Sequence, residues 1–529
     1  MNRSYRVIFN TALNAWVAAP ETARSGRKSN GSRGVWAAVA ALLVCGLSGA
    51  WAADISWTAG TGDWFTAGNW DTNTVPTDAD LVFIGNGGTA ELQMPGAAAA
   101  VLYLGSESGS GTLSVLNGGT VSTANGAIGL NPGSSGVVTV NGIGSSWSNS
   151  AALSIGLSGS GTLNISNGGA VSNTFGRIGS ASYGDGAVIV DASSWSNSNI
   201  LFVGDRGSGT LDIRNGGTVN SLASFVGYEG TGVGVVTVDG TGSRWNNSNA
   251  LYLGYSGRGT LDIRNGGAVN NRESHIGVLK GSVGALTVDG TGSSLSNSEN
   301  LVVAGYGRGS LDIRNGGAVD NNEGVIGRFG GAIGTVTVEG AGSEWSNADD
   351  LRVGDAGSGA LEIRNGGAVS NSIGYIGDDA GSNGTVTVDG AGSSWSNAGT
   401  LYAGYYGSGT LELSNGGAVS STAGYVGYLG TSVGTVSVDG TGSSWTNSGS
   451  LNVGMLGNGT LAIRNGGAVG SYGGSIGGLA GSVGTVTVDG ATTGSGRSSW
   501  INLGELAVGQ TGSGTLDILN GGLVSSLQG

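Results

Sequence analysis

Two sets of side chains in this chain of 529 residues have the types and spacing to do chemistry. Arg214, Asp239, Arg264, Asp289, Arg314, Glu339, Arg364 and Asp389 follow one another at 25-residue intervals. Carboxylates facing guanidinium groups are the raw material of acid-base work on glycans. Trp147, Trp195, Trp245, Trp345, Trp395, Trp445 and Trp500 recur at about twice that interval, and exposed indole rings could stack on sugars. Leu295 interrupts the tryptophan series once. Leucine replaces tryptophan readily in a core and poorly on a sugar, so the series reads as structural, with a glycan-binding stripe as the alternative. The only histidine, His275, lies in NNRESHIGVLKG beside Arg272, Glu273 and Lys280. That cluster is the largest chemical departure from its surroundings, and a solvated charged loop is its ordinary reading.

Catalysis needs carboxylates that converge in environments pushing their pKa values apart. Here nearly every carboxylate returns at a fixed interval, which is the behaviour of architecture, so no catalytic residue, cofactor or metal site is expected. The NGG phrase lacks the aspartate of the calcium-binding GGxGxD nonapeptide. Gly-x-Gly runs have no strand-to-helix context. Net charge is −14, which argues against nucleic acid as a partner.

The elements carrying these residues are repeats. LDIRNGG begins at Leu211, Leu261 and Leu311, with relatives at Leu113, Leu163, Leu361, Leu411, Leu461 and Leu516. Each 50-residue unit divides again, since GTLDIRNGGTVNS from Gly209 is answered by GVVTVDGTGSRWNNS from Gly234. Leu211-Asp212-Ile213-Arg214 alternates apolar and polar, the period of a strand with one buried face. Asn-Gly-Gly then supplies a corner. Short strands and corners at 25 residues per turn predict an all-β fold, a right-handed parallel β-helix (β-solenoid). A β-propeller would need four strands per blade, whereas here the halves of each unit resemble one another. From Ala97 onward about 17 coils are expected, a rod on the order of 80 Å. Stacked in register, opposite charges alternate coil by coil, with carboxylates above, below and beside each arginine. Such a ladder penalises slipped register. Residues 53–99 lack the repeat, carry Trp57, Trp64 and Trp70, and read as an N-terminal cap; residues 100–529 read as nine 50-residue repeats, the last incomplete.

Residues 1–52 differ in composition. Six basic residues face one acid, Glu21, and the apolar run VWAAVAALLVCGLSGA leads to Ala50-Trp51-Ala52. A basic region, an apolar core and small residues flanking the cut make a secretory signal, forming an N-terminal signal helix and cleaved between Ala52 and Ala53. The apolar run falls short of the roughly 20 residues of a bilayer span. Cys45, the only cysteine, leaves with the signal, so the exported chain has neither disulfides nor thiolate metal sites.

Ahead of the apolar run, Asn2, Tyr5, Arg6, Val7, Ile8, Asn10, Asn14, Ala15, Trp16, Val17 and Ala18, then Glu21, Ala23 and Arg27-Lys28, resemble the extended signal peptide region of type V secreted proteins. The repeat, with GTLDIRNGGAVSN, IGY and GTVTVDGAGSSWSN, resembles the autotransporter-associated repeats of bacterial passenger domains across residues 100–529. These resemblances imply slow inner-membrane export, a location at the outer-membrane surface or outside the cell, and an adhesin-like or structural stalk. They imply as partners an outer-membrane β-barrel translocator and host or bacterial surface glycans or proteins. The chain stops at Leu527-Gln528-Gly529 inside a repeat, so the barrel is expected either beyond a fragment or on a separate polypeptide. A glycan-active β-helix enzyme is the alternative function.

Overall fold

In the coil that begins at Ser208, the alternating pattern becomes three strands, Ser208–Arg214, Thr218–Ser221 and Ala223–Val226. The long strand turns Leu211 and Ile213 inward, and the shorter ones bury Val219 and Val226. The next coil repeats the plan with Val233–Asp239, Arg244–Asn247 and Ala250–Leu253. Each strand pairs in parallel with its counterpart one coil on, so Leu211 lies over Val236, Ile213 over Val238 and Arg214 over Asp239. The chain is a parallel β-solenoid with about 25 residues per turn and about 19 coils. This computed structural model describes residues 5–10, 15–20, 52–490 and 496–527.

Corners depend on residues that accept a left-handed backbone. After the long strand, Asn215 (φ 53°) and Gly216 (φ 81°) make the turn, and asparagine is the commonest non-glycine residue to tolerate it. The corner leading back to the long strand is glycine at Gly204, Gly227, Gly254 and Gly277, then alanine at Ala304, which holds φ 69°.

The core is built of matched sizes. On the second strand valine alternates with tryptophan, and on the third a small residue alternates with leucine, as in Gly374 stacked between Leu351 and Leu401. A coil carrying tryptophan and leucine therefore rests on one carrying valine and glycine, which keeps the interior close-packed.

The sheets begin before the repeat does. Asp54–Ser56 pairs with Leu81–Ile84, which pairs with Ala97–Leu104, and Thr61–Asp63 pairs with Thr89–Leu92, which pairs with Ser110–Leu116. Strand pairing needs backbone and an alternating face, and the LDIRNGG phrase is dispensable for both. Trp57, Trp64 and Trp70 meet edge to face at 4.8 Å and fill the core at this end, with Trp70 donating its indole N–H to the Trp64 carbonyl at 2.8 Å. By strand spacing the rod is about 90 Å long.

Met1–Trp51 form a compact unit of their own, in which Tyr5–Asn10 pairs antiparallel with Ala15–Pro20. The expected signal helix lies outside the described residues. Ala52 and Ala53 are exposed at the start of the second unit.

Candidate functional site

The arginine and aspartate column is in register, but its contacts run one way. Arg214 reaches Asp191 of the preceding coil at 2.9 Å, Arg264 reaches Asp239 at 3.2 Å, Arg314 reaches Asp289 at 3.1 Å and Arg364 reaches Glu339 at 2.9 Å. Neighbours on the same strand join in, Asp212 at 3.2 Å from Arg214 and Glu362 at 3.0 Å from Arg364. The expected symmetry, a carboxylate both above and below each arginine, is not what forms. The cause is the corner asparagine, which sequence reading treated only as a turn residue. Asn215, Asn265, Asn315 and Asn365 donate side-chain N–H groups to Asp191, Asp239, Asp289 and Glu339 at 2.7–2.9 Å. Each carboxylate is thus held from the coil that follows it. Asp389 is bound by Ser414 at 2.6 Å and Asn415 at 2.7 Å in the same way. Hydrogen bonds, first from Asn215 and Asn315, hold the Asp191 and Asp289 carboxyls below their ordinary pKa, as those from Arg364 and then Asn365 do for Glu339 and those from Ser414 and then Asn415 do for Asp389.

All seven tryptophans of the column are fully buried, so none offers a face to a sugar. Their N–H groups are satisfied inside the core by a second ladder that the sequence analysis missed. Trp195, Trp345 and Trp395 donate to Asn173, Asn321 and Asn371 of the preceding coil at 2.6–2.7 Å. Trp147, Trp445 and Trp500 use Thr123, Ser421 and Ser471 at 3.0–3.2 Å. Trp245 alone has no such partner. The asparagines also join one another, Asn371 donating to Asn397 at 2.8 Å. The signal was visible as Asn two residues after each tryptophan and as Asn, Ser or Thr in the matching place one coil earlier.

His275 is no loop residue. It sits in the strand Glu273–Ile276, its ring stacked on Tyr252 at 5.2 Å and its Nε2 3.3 Å from Glu273. Burial pushes its pKa below the ordinary value, against the pull of Glu273. It ends an outward aromatic column, Phe202, Phe225, Tyr252 and His275, and a second run joins Tyr375, Tyr402 and Tyr425 at 5.2–5.3 Å. These rings occupy one another's faces and leave mainly edges to solvent. Between the runs Arg352 lies over Tyr375 at 4.7 Å and binds Glu323 at 2.9 Å, Asp350 at 3.2 Å and Asp378. Burial, then the Asp378 carboxylate, pushes Asp355 beside them up to about 6.

Elsewhere an open groove of about 590 Å³ follows the corner between the second and third strands. Asn246 donates to Asn220, and Asn270 to Asn246, at 2.9 Å along its wall. Among the described residues no group of three His, Cys, Asp or Glu side chains is placed to hold a metal ion, and no helix is long and apolar enough to cross a membrane.

Fold and surface together define a class: a parallel β-solenoid whose side chains are organised in columns along the rod. Residues 1–50 match the family model described as the extended signal peptide of the type V secretion system. That leader marks the chain for type V secretion, with export across the inner membrane towards the cell surface or the exterior, and a parallel β-solenoid follows it in the sequence. Among solved structures the chain is similar to a TibC-catalyzed, hyper-glycosylated TibA fragment, at 18% identity and a TM-score of 0.40, over 68% of this chain and 99% of that one. No curated protein matches.

Proposed function

We propose that the passenger is an adhesin-like stalk without catalytic activity, delivered by an outer-membrane β-barrel translocator, and that it meets glycans or proteins of host or bacterial surfaces along its side. One observation carries this reading: the carboxylates and guanidinium groups of the ladder, and Arg352, are engaged by neighbouring strands. Asp239 is held by Arg264 and Asn265, and Arg352 by three carboxylates. Groups committed in this way stiffen a rod and cost a catalyst its mobile acid and base.

The test is to display the chain on a non-adherent bacterium through a type V translocator and to count cells retained on epithelial and abiotic surfaces. Retention several-fold above the translocator alone is expected. Retention equal to that control, or depolymerisation of a polysaccharide panel by the purified chain, overturns the reading.

A further inference from the structure

At the corner that feeds the long sheet, four successive coils place Arg258, Lys280, Arg308 and Arg328 on one ledge, and none of them forms an ion pair. In a chain of net charge −14, where Arg214, Arg314 and Arg364 are paired, what sets the ledge apart is four such cations grouped together, since Arg244 and Arg464 also form no ion pair but stand alone. Lys280 is the only lysine outside the leader. Arg258 and Arg308 open their strands in the column Val233, Arg258, Val283, Arg308, Ile333. They stand two coils apart, about 10 Å by strand spacing. Beside them runs an apolar ridge, Leu279, Tyr306 and Phe329, with exposures of 38%, 48% and 38%. Tyr306 and Phe329 stack at 4.3 Å, and the Arg328 guanidinium lies 5.3 Å over the Phe329 ring. Beyond the ledge the same corner is charge-balanced on one side, where Asp205 pairs with Arg177 and Glu229 with Arg206, and acidic on the other, at Asp355, Asp378 and Asp379 around the single Arg352.

From this charge pattern we infer that the ledge is a binding site for an acidic polysaccharide lying along the rod. Its carboxylate or sulfate groups meet the cations, and the apolar faces of its sugar rings rest on the ridge. The ledge spans roughly 15 Å along the rod, so it engages a short stretch of the polysaccharide, and its apolar ridge has no counterpart in the phosphate backbone of duplex nucleic acid. This names a ligand for the adhesive stalk and rests on that reading, but it is tested separately.

Binding of heparin-derived and hyaluronan octasaccharides to the secreted chain is measured by calorimetry at low and high salt. Heparin sets sulfate plus carboxylate against the carboxylate alone of hyaluronan. Binding of at least one is expected, weakening as salt rises. R258S/K280S/R308S/R328S should lose about tenfold, since single exposed contacts are weak and only their sum is large. R244S/R464S, which removes two cations away from the ledge, should bind as the parent does. No binding by the parent, equal binding by the ledge variant, or tighter binding to DNA of similar charge overturns the inference. Surface retention of the ledge variant is scored in parallel. A parent that adheres but ignores both sugars sinks the ledge and spares the stalk, and a parent that binds sugar but does not adhere does the reverse.

Discussion

Gly374 lies against Trp395 of the following coil so closely that a β-carbon on it would stand 2.9 Å from Cζ2 of the indole, 2.8 Å from Leu401 Cδ1 and closer still to Asn397 Oδ1. The two positions are one packing unit. Serine takes the glycine's place twice, at Ser274 where leucine replaces tryptophan as Leu295 and at Ser224 below Trp245, and all four remain buried. Gly374→Ala should therefore destabilise these coils by about 1–3 kcal/mol, the usual cost of overpacking. Adding Trp395→Leu should recover part of it. Hydrogen exchange of residues 371–401 measures both, and unchanged protection in the single variant would show that the indole can move aside.

Asn371 joins the same unit by accepting the Trp395 N–H at 2.6 Å and donating to Asn397 at 2.8 Å. Asn371→Ala leaves a buried donor and a buried acceptor unpaired, at a cost of about 1–3 kcal/mol each. Denaturant unfolding followed by tryptophan fluorescence should show the lowered midpoint. A Ser421→Ala control should cost less, because the bond from Trp445 to Ser421 is longer, at 3.2 Å.

The charge ladder has a polarity. Exchanging Arg364 and Glu339 keeps the ion pair but turns the Asn365 N–H, now 2.9 Å from Glu339, toward a guanidinium. If opposite charge alone mattered, the exchange would be neutral. Because the asparagine bond takes part, the exchanged protein should unfold at a lower temperature than the parent, and Asn365→Asp in the exchanged background should raise it again. Equal melting of exchange and parent would reduce the asparagine to a turn residue.

Ala304 occupies a left-handed position that is glycine at Gly254, Gly277 and Gly327. An L-residue loses about 1–2 kcal/mol there. Ala304→Gly should stabilise the protein by about 1 kcal/mol, less whatever freedom glycine adds to the unfolded chain. A fall in melting temperature would mean that the buried methyl group contributes more than the strain removes.

Asp355 gives the rod a pH response of unusual sign. Its pKa is about 6 in the folded chain and near 3.8 in a free carboxyl, so between those values the folded state binds the extra proton. Stability associated with this group therefore rises as pH falls from 7 to 5. The ladder carboxyls Asp191, Asp289, Glu339 and Asp389 have lowered values and weaken the fold only at lower pH. His275, with its lowered pKa, acts in the opposite direction over the same range, so the readout is the difference: the melting temperature of the parent minus that of Asp355→Asn should be larger at pH 5 than at pH 7.

What the sequence determined by itself is whatever repeats locally. Alternation in Leu211 to Arg214 sets a strand with one buried face, Asn215-Gly216-Gly217 sets a corner, and a 25-residue return stacks one coil on the next. The leader was equally legible, because its order of residues is read before any folding. Tertiary structure decided the choice of neighbour. Sequence placed Arg314 between Asp289 and Glu339 without preference, and the fold selects Asp289 because Asn365 and Arg364 already hold Glu339 from above. Direction was hidden likewise for aromatic residues: a 25-residue period places Trp395 and Tyr402 equally well in columns, and only the turn of each strand sends the indole inward and the phenol outward. Unpaired Arg258, Lys280, Arg308 and Arg328 lie far apart along the chain, and only the stacking of coils sets them on one ledge.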